Sequence, residues 1–156
     1  TLLGLELCCE AAKLGQQTVC FTLEYTQAEC ISKLKQIGSD ASVLSQIVFD
    51  CSDKINAEYI ISRVKSMPAE TLAVVDYLQL LDQKRTDPPL QDQVSALRSV
   101  SCERRAKLVF LSQVDRSFTE KAQNCPDVTD VRLPNHLDLR LFDRMCFIGQ
   151  NEVRFA

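Results

Sequence analysis

Apolar positions along this chain follow two rhythms that alternate from one end to the other. Leu2, Leu3, Leu5, Leu7, Cys8, Ala11, Ala12 and Leu14 recur with helical spacing, and Gly15 follows where a helix would close on a left-handed residue. Residues 17–23 (QTVCFTL) form a short apolar run of the kind that makes a buried strand. A helix is predicted over 26–37, closed by Gly38, and a short strand over 45–49. An amphipathic helix over 56–67 ends at Pro68, and the β-branched strand 72–75 runs into Asp76. Residues 82–90 (DQKRTDPPL) read as a polar, proline-rich loop. A helix over 91–106, a strand over 107–112, a polar stretch over 117–134 and a last strand over 144–148 complete the pattern.

Apolar strands separated by helices of 10 to 16 residues imply βαβ units, hence a mainly parallel sheet with helices on both faces. The expectation is a single α/β domain over residues 1–156, without internal repeats. In such sheets ligands bind beyond the carboxyl ends of the strands. Three strands, expected to be inner ones, end there on polar groups: Glu24, Asp76 and Gln113. An aspartate ending an apolar strand can reach magnesium, a neighbouring glutamate can accept a proton from water, and a glutamine can sense a γ-phosphate. A lone strand-end aspartate is also a common turn or cap residue, but three such groups in register point to a magnesium-nucleotide site.

Composition narrows this reading. The net charge is −3, from 18 basic and 21 acidic side chains, so nucleic acid would be touched by a few loops shared among subunits rather than by a basic coat. The eight cysteines are scattered without a C-x-x-C, and His136 is the one histidine, which leaves a zinc site almost no ligands. They are expected to be small buried hydrophobes of a protein in a reducing, cytoplasmic compartment. No apolar run approaches the ~20 residues that span a bilayer, and no signal peptide opens the chain, so no membrane association is expected.

Five segments, in order, are similar to one known family. LAVVDYLQLL (72–81) resembles the Walker B segment of DnaB-type replicative DNA helicases, and VCFTLEYT (19–26) the strand carrying that family's catalytic glutamate. VFLSQVDRS (109–117) resembles its sensor strand, DVTDVR (127–132) its DNA loop and LFDRMCFI (141–148) the strand that follows. The resemblance spans essentially the whole chain. It implies a RecA-like P-loop NTPase three-layer sandwich, ATP and Mg2+ as cofactors, and coupling of ATP hydrolysis to translocation on single-stranded DNA. It further implies a hexameric ring and a primase or helicase loader as partners. Residue by residue, Glu24 would polarise the hydrolytic water, Asp76 would hold magnesium and Gln113 would couple γ-phosphate loss to the DNA loops. Arg132 would contact the single-strand backbone.

The chain also departs from the family. Of the phosphate-binding loop Gly-x-x-x-x-Gly-Lys-Thr only Thr1 matches, as its last residue and a second magnesium contact. The rest of that loop, the strand before it and the Lys-x-Arg finger are not among these residues, so the sheet is expected without its first strand. Leu133, Pro134 and Asn135 stand where the family has Glu-Ser-Gly, and Asp115 where it has asparagine. These departures favour a second reading, a non-catalytic RecA-like module acting in assembly or protein binding. A recombinase-type ATPase would explain the sheet but not the DYLQLL and LSQ pair. Arg104, Arg105 and Lys107 are expected to complement a helix C-terminus, Lys84 and Arg85 to lie in a surface loop, and Tyr25 and Tyr77 to pack.

Overall fold

Four parallel strands in the order β2-β1-β3-β4 carry the fold: β1 (Thr18–Thr22), β2 (Ile47–Asp50), β3 (Leu72–Asp76) and β4 (Lys107–Leu111). The structure, a computed structural model, describes residues 1–83, 86–120, 123–133 and 135–156. Lys84, Arg85 and Pro134, placed by the sequence in two loops, lie outside the described residues.

The strands interleave with helices α1 (Leu2–Lys13), α2 (Gln27–Gln36), α3 (Ala41–Leu44), α4 (Ala57–Ser66) and α5 (Leu90–Arg104). Alternation within β1 and β3 separates two cores. Val19, Phe21, Ala73 and Val75 face the core built by α4 and α5, with Ile60, Val64, Val94 and Leu97. Cys20, Leu72 and Val74 face the other, with Leu5 and Cys8 of α1 and Cys30 and Leu34 of α2. A sheet covered on both faces is the three-layer sandwich the sequence implied, and it explains why β1 and β3 read as unbroken apolar runs.

Local signals set the helix ends. Thr26 caps α2 in a capping box with Glu29, and the Asn56 side chain accepts from the Tyr59 amide to cap α4. Gly15 (φ 75°) and Gly38 (φ 87°) close α1 and α2 in Schellman turns, the amides of Gln16 and Ser39 donating to Ala11 and Leu34. Arg105 closes α5 with φ 51°, an end that no glycine marks in the sequence. At Gly4 a Cβ would lie 2.8 Å from Leu111 Cδ1, so α1 rests closely on β4.

Three expectations are corrected. Gln113 follows β4, which is an edge strand of the described sheet rather than an inner one. The last strand is β5 (Cys146–Ile148), and it does not join the sheet; it pairs antiparallel with β6 (Val153–Phe155), an unforeseen strand, as a separate ribbon. Its short run has no buried residue, so nothing draws it into the core. The apolar run after Asp76 turns into a 3-10 helix, Leu78–Asp82, that buries Leu78, Gln79, Leu80 and Leu81.

Candidate nucleotide site

Register across the sheet brings the strand ends level: Thr22 pairs with Asp76, and Asp76 with Leu111. Asp76 is only 4% exposed, and its Oδ2 is buried without a hydrogen-bond partner. A buried carboxylate oxygen in that state costs free energy unless a cation or donor reaches it. The Thr1 amino nitrogen lies 4.0 Å from Asp76 Oδ1, which puts the two magnesium candidates side by side. Thr1 occupies the N-cap position of α1 without a capping bond from its hydroxyl, so that hydroxyl is not committed to the helix. The peptide between Asp76 and Tyr77 is cis.

Glu24 stands exposed two residues beyond β1, its amide donating to Thr22 Oγ1 at 3.1 Å. A cavity of about 190 Å³ beside it is lined by Leu23, Glu24, Tyr25, Thr26, Glu29 and Cys51. Its two carboxylates would repel a polyphosphate, so the cavity suits water better than nucleotide. Among the described residues no group of three histidine, cysteine, aspartate or glutamate side chains could hold a metal alone. A magnesium ion that takes few protein ligands and completes its shell with phosphate oxygens and water fits Asp76 and Thr1.

Gln113 and Arg132 meet directly. The segment holding Arg132 lies antiparallel beside the end of β4, through a bridge between Val114 and Val131 and an Asp115 amide donating to the Asp130 carbonyl. The Arg132 amide donates to the Gln113 carbonyl at 2.9 Å, and Arg132 Nη1 donates to Gln113 Oε1 at 2.6 Å. The capping box of Asp127 with Asp130, itself 1% exposed, holds the start of that segment.

One residue here escaped the sequence reading. Gln79 is 8% exposed, and its Nε2 donates both to Ser112 Oγ at 3.0 Å and to the Arg132 carbonyl at 2.6 Å. The signal was present: Gln79 is the lone polar residue within YLQLL, where the neighbours demand burial. The other singled-out side chains have neighbours of their own. Arg104 Nη2 donates to the Met67 carbonyl, Arg105 pairs with Glu70 at 3.0 Å, Lys33 Nζ lies 4.4 Å from the Tyr25 ring centroid, and Tyr77 packs on the core.

All eight cysteines are free thiols, five of them buried: Cys8, Cys9, Cys20, Cys30 and Cys125. Burial pushes the Cys30 thiol up to about 12, and a hydrogen bond with Cys8, with burial, raises that of Cys20. Such thiols are hydrophobes rather than nucleophiles. No described helix is long and apolar enough to cross a membrane.

The family model of the DnaB-like helicase C terminal domain matches residues 1–152. Among solved structures, the chain is similar to an isolated ATPase domain, with a TM-score of 0.66 and 17% identity over 84% of this chain and 58% of that one. It is equally similar (TM-score 0.66, 18% identity) to a DnaB-like replicative helicase whose structure was determined with its interactions with primase, over 85% of this chain and 40% of that one. The chain thus spans about half the length of the structures it matches. A comparison with curated proteins finds no match.

Proposed function

The chain belongs to the DnaB-like helicase C terminal domain family, and on that premise we propose that residues 1–156 form the ATP-hydrolysing motor domain of a replicative DNA helicase. The observation that carries the proposal is the buried, unpartnered Oδ2 of Asp76 at the end of the family's Walker B strand, with Thr1 beside it. Asp76 and Thr1 would hold Mg2+ together with ATP, and the ion would neutralise charge developing on the transferred phosphoryl group. Glu24, exposed and one strand away, would orient a water and accept its proton. Gln113 would sense the γ-phosphate, and Arg132, bonded to it, would pass that state to single-stranded DNA. Assembly as a homo-hexamer, contact with a primase or helicase loader and a cytoplasmic location belong to the same proposal.

Magnesium-dependent ATP binding followed by calorimetry tests it. Binding is expected with the wild-type sequence and not with Asp76→Ala, while Glu24→Gln should bind ATP and hydrolyse it ~100-fold or more slowly. Absence of binding at high nucleotide concentration would sink the motor reading and favour a RecA-like module acting in assembly or protein binding.

A further inference from the structure

We propose that Gln79 is a positioning residue that makes the DNA-contacting segment around Arg132 follow the nucleotide site, an inference that rests on the reading of Arg132 given above. Gln79 follows Asp76 by three residues, in the 3-10 helix that continues the Walker B strand. Its one amide nitrogen has two hydrogens and uses both, on Ser112 at the end of the sensor strand and on the Arg132 carbonyl. Arg132 is therefore held at three points: its carbonyl by Gln79, its amide and its guanidinium by Gln113. A shift of Asp76 or of Gln113 reaches Arg132 through bonds already made.

Packing alone does not call for glutamine at this position. Its Oε1 is buried without a partner, a cost that an apolar side chain of similar length would avoid. Ser112 and Arg132 are both exposed, so water could serve their freed hydroxyl and carbonyl. What an apolar residue would remove is the link between the Walker B extension and the Arg132 backbone. The orphaned acceptor is the mark of a residue kept for its donors.

The test uses the full-length protein carrying this chain, with Gln79→Met, which fills the space without donating, and Ser112→Ala, which removes one anchor at an exposed site. Four quantities are read: melting temperature, ATP affinity, basal hydrolysis, and the stimulation of hydrolysis by oligo-dT. For Gln79→Met the melting temperature should stay within about 3 °C of wild type. ATP affinity and basal hydrolysis should stay within about twofold, while stimulation by oligo-dT falls about tenfold. Ser112→Ala should show the same split at about two- to threefold. Unchanged stimulation in both variants, or a parallel loss of all four quantities in Gln79→Met, overturns the inference. If Gln79→Met does not fold, Ser112→Ala decides: the split supports the positioning role and wild-type stimulation refutes it. Oligo-dT that neither binds nor stimulates the wild type overturns the helicase reading, and the inference with it.

Discussion

β3 and β4 lie side by side, run in the same direction and are both apolar, yet the fold holds them differently. Every residue of β3 is buried, with β1 on one side and β4 on the other. None of the five residues of β4 is buried, and it has one neighbour. The difference shows that an apolar sequence makes a strand, whereas the number of partners sets how much of it leaves water. It also divides the site. Asp76 ends the strand that is locked on both sides, and Gln113, with Arg132, continues from the strand that is held on one. The groups assigned to the ion sit on the stiffer part, and those assigned to respond sit where less packing resists movement.

The sharpest way to break this contrast is truncation of one phenylalanine on each side. Phe21, fully buried on β1, should cost ~3–5 kcal/mol when changed to alanine, and Phe110 on β4, half-buried against Phe142, clearly less. Denaturant unfolding of the two variants measures this, and equal losses would erase the contrast. Gln93 offers a polar version of the same test. It is 3% exposed and fully used, accepting from the Ala57 amide and donating to the carbonyls of Leu81 and Pro88. Gln93→Leu should destabilise by ~1–3 kcal/mol, because it strands buried backbone groups that water cannot reach. A smaller loss, ~1 kcal/mol, is expected for Thr26→Ala, which removes the α2 cap.

Thiol labelling maps the same division without a mutation. Cys102 and Cys146 are exposed and should react first, whereas Cys8, Cys20 and Cys30 should stay protected until the chain unfolds. Raising the pH from 7 to 9 should speed labelling at the exposed pair through the thiolate, and leave Cys30, raised to about 12 by burial, unreactive. Mass spectrometry of partly labelled protein checks both statements. The smallest effect concerns Asp138, whose carboxyl the Arg140 guanidinium and amide lower to about 2. A folded-state value below the unfolded one stabilises the fold above the unfolded titration, and the contribution fades as pH falls through about 2. An NMR titration should show that midpoint, and Arg140→Gln should move it upward.

Much of the fold is legible in the chain because its causes are local. The helical recurrence of Leu5, Cys8, Ala11 and Ala12 sets the buried face of α1, and Gly15 and Gly38 mark two helix ends by the backbone shape they permit. Arg105 takes the same left-handed conformation without any such mark, so that helix end was placed two residues late. The 144–148 strand was legible as a strand but not as half of a ribbon, since partner choice is decided by what lies within reach rather than by composition.

By itself, then, the sequence determined the alternation of helices and strands, the parallel sheet with two covered faces, and the polar groups at the strand ends, since periodicity and end residues act over a few positions. Tertiary structure alone decided that β4 is an edge, that β5 pairs with β6, and that Gln79 and Arg132, 53 residues apart, share a hydrogen bond. Such pairings arise when packed elements bring distant donors and acceptors to one place, and no local pattern records them.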